Sequence, residues 1–488
     1  MKRRIFLAML LIVALCQVSY AAIGDVFSDD VLTYKIIGVD EVEVSKPVNE
    51  NCTEIAVPSS VIDNGATYRV TAIGKKAFDR CYSLVLVTLP DGLTTIRDWA
   101  FSECYSLVSV TYPEGLITIG KDAFLYCTSL STITLPEGLT TIGYQAFTYC
   151  TSLVSVTFPE TLTIIGDDAF YGCESLISVT LPASLISIGA DAFDGCRLMS
   201  SLTISEGVTK IGDHAFGGCS SLTSVTLPEG LTTIGSAVFS GCTSLTNIQF
   251  PRSLSTTGDQ TLFGCTSLTS VILPETLTTI GSEAFDGCTS LTSITLPESI
   301  KTIGNEAFDG CTSLASITIP DGVSVIGWCS FRNCESLGFV TLPENLTLVR
   351  AGAFFQCEYL ASVTCKAVTP PMFELEDGGV ISSFLGIPEY AALYVPENSV
   401  EDYKASDWAD FFKYILPIED TAISMPSVDG KDAISVDGRS ISTVDGSAKV
   451  VLYDLSGRKV GEGTTVEAPT AGTYVVVVAG KSVKVLVE

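Results

Sequence analysis

Cysteine returns at Cys81, Cys104, Cys127, Cys150, Cys173, Cys196, Cys219, Cys242, Cys265, Cys288, Cys311, Cys334 and Cys357, a spacing of 23 residues held without a slip. Fixed-period self-similarity of this length predicts an array, in which each repeat is one coil of a solenoid and buries its open edges only against its neighbours. Function then has to be sought on the surface of the stack.

Numbered from its cysteine, the typical unit runs C-T-S-L-T-S-V-T-L-P-E-G-L-T-T-I-G-x-x-A-F-x-G, seen clearly from Cys288 to Gly310. Positions 4, 7 and 9 give L-x-x-V-x-L, the strand signature of leucine-rich repeats, with Leu291, Ile294 and Leu296 turned inward and the residues between them outward. Leu-Pro-Glu-Gly fits a type I turn with proline second and glycine fourth. The apolar residues at 13 and 16 re-enter the core, Gly at 17 allows a bend, and Ala-Phe at 20 and 21 reads as a short helical turn whose Phe fills the coil.

Such a stack needs special ends. Cys52 to Arg80 is a longer unit that keeps Ile73-Gly74 and Ala77-Phe78 but inserts a turn at Asp63-Asn64-Gly65, as an N-terminal cap would. After Cys357 the pattern breaks at Thr369-Pro370-Pro371, and residues 398–412 read as an amphipathic helix started by Asn398 with Glu401 three residues on. Its Tyr403, Trp408, Phe411 and Phe412 would cover the last coil. The coil from Cys242 to Gly264 is the expected weak point, because Thr257, Thr261 and Leu262 replace the buried Ile, Ala and Phe and Arg252 interrupts a row of acids. If that slot is apolar, Thr257→Ile should stabilise it.

Lys2, Arg3 and Arg4, an apolar run from Ile5 to Cys16 and Ser19-Tyr20-Ala21 form a secretory leader with a small-x-small cleavage site. A lipoprotein reading would use Cys16, but Leu15 stands where a small residue is wanted. No other segment is long enough for a transmembrane helix. A net charge of −28 makes nucleic acid and anionic membrane poor partners.

An exported chain rich in cysteine normally suggests disulfides. Here geometry argues for a buried thiol ladder: equivalent residues of neighbouring coils lie about 4.8 Å apart with parallel Cβ vectors, and a disulfide wants Cβ atoms at roughly 3.8 Å. Zinc is not expected, since the array has no clustered C-x-x-C or histidine ligands. His214, the single histidine, sits in a variable and solvent-exposed slot, so Ser-His-Asp or Cys-His catalysis has no support. With no phosphate-binding loop and no H-E-x-x-H helix, the sequence gives no catalytic residue, cofactor or metal, and an enzyme is not expected.

Three surface features compete. Outward strand positions 6 and 8 carry columns of Ser and Thr, among them Thr134, Thr157 and Thr180, which suit either β propensity or a hydroxyl ligand face. Position 11 carries acids such as Glu137, Glu160 and Glu229, which keep the rim soluble or engage a basic partner or divalent cations. Tyr82, Trp99, Tyr105, Tyr126, Tyr144, Tyr149 and Tyr171 crowd the first coils where later ones hold Thr, Gly or charge. Exposed Tyr and Trp anchor protein interfaces and stack on sugars. Simple drift beside a cap is the other explanation, and the sequence slightly favours it.

The core I-G-x-x-A-F-x-G-C-T-S-L-T-S-V-T-L-P closely resembles the BspA-like leucine-rich repeats of bacterial surface proteins across residues 52–365, and Ala392-Leu393-Tyr394-Val395-Pro396 resembles that family's closing segment. The resemblance implies an adhesin for host matrix proteins or other microbes, and carries no catalytic residues. Residues 421–488, with Val450 to Val460, Gly472 to Val478 and Lys481 to Val487, resemble the C-terminal sorting domain of type IX secretion, which implies passage through the outer-membrane secretion machinery. The expected fold is a repeat solenoid, a right-handed coil stack with a parallel β-sheet, plus a small C-terminal β-sandwich; 13 coils would be roughly 60 Å long. Its divisions are a signal peptide over 1–21, N-terminal region and cap over 22–80, repeats over 81–365, a C-terminal cap with helix over 366–420, and linker with sorting domain over 421–488. The expected protein is a surface-exposed or secreted adhesin whose partner is an extracellular protein on host matrix or another cell; a glycan receptor for nutrient capture and a structural surface component are the alternatives.

Overall fold

The computed structural model describes residues 22–374, 382–418, 434–437, 440–443, 449–454, 459–467, 472–478 and 481–487. The leader and most of the linker lie outside them. The chain divides into two compact units between Met199 and Ser200, and both contain parallel leucine-rich-repeat coils.

In the first unit, Val26–Ser28, Leu32–Ile36 and Glu41–Pro47 pair antiparallel, and the last of these pairs parallel with Ala66–Ile73. Ser60–Asp63 folds back on Ala66–Ile73 through Asn64 and Gly65, both at positive φ (47° and 80°), as a two-residue hairpin turn requires. Each following coil contributes two strands. Thr132–Thr134, Ser155–Thr157 and Ser178–Thr180 form the expected sheet at positions 6 to 8, with the middle side chain buried and its neighbours exposed. Thr118–Ile119, Thr141–Ile142 and Ile164–Ile165 form a second parallel column at positions 15 and 16 that the sequence reading did not anticipate.

The backbone corrects three details of the expected coil. The N–H of Leu139 donates to the Pro136 carbonyl, as Leu231 does to Pro228, so the turn begins at proline, one residue later than expected. Gly143 and Gly166 at position 17 have ordinary φ; what they supply is room, since a Cβ would come 2.9 Å from the Ile119 carbonyl oxygen and 2.8 Å from that of Ile142. Ala-Phe is not helical. Positions 19 and 23 are left-handed, and the amides of 19, 21 and 23 donate to carbonyls 18, 20 and 22 of the next coil, as Asp122, Phe124 and Tyr126 do to Tyr144, Ala146 and Thr148. This ladder ties coils together on the side without long strands.

Inside it the phenylalanines stack. Phe78, Phe101, Phe124, Phe147, Phe170 and Phe193 are fully buried with successive ring centroids 5.0–5.3 Å apart. Each ring contributes about 1.5–3 kcal/mol by leaving water.

The second unit repeats this plan from Ser200. Its sheet Ser316–Thr318, Phe339–Leu342 and Ser362–Cys365 continues in parallel through Ala392–Val395 and Tyr414–Pro417. The cap helix expected over 398–412 is instead three short pieces: 3-10 turns at Glu397–Ser399 and Asp407–Asp410 around a helix at Val400–Lys404. Asn398 caps nothing. The pieces are bent by side-chain anchoring: the Tyr403 hydroxyl donates to the Ala367 carbonyl (2.9 Å) and the Trp408 indole N–H to that of Pro371 (2.8 Å). Tyr403, Trp408 and Phe412 are buried, and Phe411 is half-buried.

The described C-terminal strands form two antiparallel sheets. One holds Ile434–Asp437, Ser440–Thr443 and Thr465–Glu467; the other holds Lys459–Gly463, Val450–Asp454, Gly472–Val478 and Lys481–Val487.

Candidate binding surface

Left-handed backbone at positions 19 and 23 lies on the turn side of each coil, and the first unit loads that side with aromatic rings. Position 23 carries Tyr126 and Tyr149 at φ 59° and 58°, where the next coil has Gly172 at 67°. A bulky residue held there costs about 1–2 kcal/mol relative to glycine. The rings of Tyr126 and Tyr149 stack at 4.8 Å and 6°, and Tyr171 meets Tyr149 edge-on at 5.2 Å. Position 2 carries Tyr82 and Tyr105, stacked at 5.3 Å and 6°. Tyr82, Tyr105 and Tyr126 are exposed, while Tyr149 and Tyr171 are half-buried.

The ring contacts therefore form two groups rather than one continuous strip. Only rings at the same coil position lie one coil apart and stack face to face; Tyr105 and Tyr126 occupy different positions. The Tyr105 hydroxyl donates to Glu103 (3.1 Å), whose carboxylate also pairs with Arg80 (3.1 Å), fixing the free end of the first pair.

Trp99 and Tyr144 stand apart at positions 19 and 18. Trp99 is half-buried at φ 55°, and the Lys75, Lys76 and Lys121 ammonium groups lie 4.7, 5.6 and 5.8 Å from its ring centroid. Lys121 also lies 4.4 Å from the centre of the exposed Tyr144 ring.

Hydroxyls at other coil positions, and the acidic column, have structural work of their own. Threonines at positions 2, 5 and 14 donate to carbonyls one coil earlier, as Thr243, Thr246 and Thr232 do to Ser220, Thr223 and Thr209. At position 11, Glu137 accepts the amide of Glu160 and Glu229 that of Arg252. The strand hydroxyls at positions 6 and 8, such as those of Ser155 and Thr157, simply face solvent.

The thirteen periodic cysteines are buried thiols outside any disulfide. Each carbonyl such as that of Phe101 accepts two donors: the amide of Cys104 three residues on and the thiol of Cys127 one coil further (3.2 Å). Burial first, and neighbouring thiols where they contribute, push Cys81 up to about 12 and Cys104 higher. His214 is exposed at φ 52°.

One charged cluster escaped the sequence reading. Asp286, Glu306 and Asp309 bring carboxylate oxygens within 4.8 Å of one another in the second unit, and Arg332 pairs with Asp309 and with Glu306 (3.0 Å). The guanidinium already occupies the cation's role there. Aligning positions 19 and 22 would have disclosed the cluster, because coil stacking converts a 23-residue separation into contact.

The model of the BspA type leucine rich repeat region matches residues 51–177, 140–269 and 256–370. Among solved structures, a leucine-rich repeat protein from Bacteroides ovatus is 32% identical with a TM-score of 0.59, covering 72% of this chain and 100% of that one. A leucine rich cell surface protein from Faecalibacterium prausnitzii is 26% identical (TM-score 0.41, 65% and 94% covered), and a leucine rich repeat protein from T. pallidum is 30% identical (TM-score 0.34, 45% and 91% covered). No curated protein sequence matches the chain. Among the described residues no helix is long and apolar enough to cross a membrane.

Proposed function

This chain belongs to the BspA type leucine-rich repeat family, and from that premise we propose that it is an exported, non-enzymatic adhesin that grips an extracellular protein through the tyrosines of its first coils. The supporting observation is the pair of surface stacks, exposed Tyr82 on exposed Tyr105 and exposed Tyr126 on half-buried Tyr149, at positions that later coils fill with Thr and Gly. Rings already held against one another offer a large amphipathic contact with little side-chain entropy left to lose, which is the character of interface anchors. Export rests on the leader at 1–21 and on the resemblance of 421–488 to a sorting domain read at the outer membrane.

The coil itself supplies mild replacements. Tyr105→Thr, Tyr126→Gly and Tyr149→Gly install residues that other coils carry at the same positions, and glycine fits the left-handed φ of the last two. The chain is used to capture proteins from a panel of host matrix components. Loss of one anchor costs about 2 kcal/mol at a typical interface. The triple variant should unfold at a denaturant concentration no lower than the parent's and lose its partner almost entirely; unchanged capture would remove the tyrosines from the contact.

A further inference from the structure

Trp99 and its lysines do not belong to either tyrosine stack. Lys75 sits 4.7 Å above the Trp99 ring, and among the described residues no carboxylate pairs with it. Lys121 lies between two aromatic faces, 5.8 Å from Trp99 and 4.4 Å from Tyr144. The neighbouring acids are partly engaged: Asp79 pairs loosely with Lys76, Asp122 with Lys121, and Asp168 hydrogen-bonds the Tyr144 side chain. Asp122 is buried, its charge opposed by desolvation, and Asp98 spends a carboxylate oxygen on the Lys121 amide (3.1 Å). The Lys76 and Lys121 side chains stay 57% and 48% exposed, with distant partners at 3.9 and 3.8 Å. On a chain of net charge −28, this turn side of the cap and the three coils that follow it presents ammonium groups around flat rings.

We propose that this patch is a subsite for an acidic glycan, with the ammonium groups taking carboxylate or sulfate and the rings of Trp99 and Tyr144 packing on the pyranose. Charge complementarity selects the anion, and the aromatic faces select a sugar over a bare polyanion. Aromatic rings present apolar area to the C–H face of a sugar, and the ammonium groups around them attract its anionic substituents. The site is independent of the tyrosine stacks, so either can fail alone.

The test is calorimetric titration of the purified chain at about 0.1 M salt, where charges within roughly 10 Å still act. The probes are a hyaluronan octasaccharide (carboxylate), a heparin octasaccharide (sulfate and carboxylate), an uncharged laminarin oligosaccharide and an oligoglutamate of equal charge. Binding of either acidic sugar is expected, with none of laminarin. Lys75→Gln and Lys121→Gln should each weaken it about fivefold and make its salt dependence shallower by about one charge. Trp99→Gly, matched to the left-handed φ, should weaken the sugar more than any oligoglutamate response, and Tyr105→Thr should leave it unchanged. Failure of both acidic sugars to bind the folded chain, or affinity indifferent to all three patch substitutions, overturns the proposal. Oligoglutamate bound as tightly as the sugars, with the same sensitivity, also overturns it and assigns the patch to an acidic protein.

Discussion

At the scale of single residues, Thr257 shows how a substitution that reads as a defect is accommodated. In a regular coil the position-17 amide donates to the position-16 carbonyl one coil earlier, as Gly304 does to Ile280 at 2.9 Å. In the coil from Cys242 to Gly264 the donor is instead received by a hydroxyl: Gly281 N–H bonds to Thr257 Oγ1 at 2.9 Å. That hydroxyl donates to the Gly258 carbonyl (3.1 Å), and the Thr257 carbonyl accepts from Thr261 Oγ1 (2.5 Å). Both threonines are fully buried, so the two apparent mismatches form one relay. The expected stabilisation by Thr257→Ile therefore reverses. Isoleucine leaves the Gly281 amide without its acceptor, at a cost of about 1–3 kcal/mol in denaturant unfolding. Adding Thr261→Ala frees the Thr257 carbonyl to take that amide, so the double variant should recover much of the loss. Faster hydrogen exchange at Gly281 in the single variant alone would be the signature, and a single variant more stable than the parent would dismiss the relay.

At the scale of elements, what was legible followed the period. The strand at positions 6 to 8 alternates apolar and polar side chains, and its burial alternates with them. A two-residue strand such as Thr141–Ile142 has no period to read, and its pairing is dictated by stacking. The turn from 18 to 23 was misread because Ala-Phe spacing resembles a helical face, while left-handed backbone is visible in sequence only where glycine marks it, as at Gly172 but not Gln145. The tyrosine groups were found as departures from a consensus; the Trp99 lysines and the Arg332 cluster needed contacts between coils.

That cluster carries a pH signature. Burial, then Asp309, Glu283 and Glu306, push Asp286 up to about 7, with Arg332 opposing. A carboxyl raised in the folded state above its unfolded value binds a proton on folding, so its charge burdens the fold above pH 7 and the burden lifts as pH falls towards about 4. Asp286→Asn should raise the unfolding midpoint at pH 8, do little near pH 4, and flatten the profile between them. An equal shift at both pH values would mean that Asp286 titrates normally.

At the scale of the whole molecule, the repeated cysteine that defines the array is explained by space and by one hydrogen bond. Successive Phe rings 5.0–5.8 Å apart measure the advance of one coil, and a disulfide would need its Cβ atoms at least about 1 Å closer than that advance. Serine would offer a donor too, but its shorter bond to carbon would fall short of a carbonyl that the sulfur meets at 3.2 Å in Cys127, Cys311 and Cys357. Cysteine is thus the small apolar side chain that also reaches the second lone pair of the Phe carbonyl. The thiolate is the nucleophile, and burial in an apolar corner suppresses it, as the raised values of Cys81 and Cys265, both about 12, express. The folded chain should therefore leave its thirteen periodic thiols unlabelled by an aromatic disulfide reagent at pH 8, whereas in denaturant nearly all sixteen described cysteines should react at once. Labelling before unfolding would place the ladder in reach of solvent. Fewer thiols after unfolding, restored by a reductant, would mean that neighbouring coils approach closely enough to be bridged, and the regular coil advance on which the packing argument rests would have to be given up.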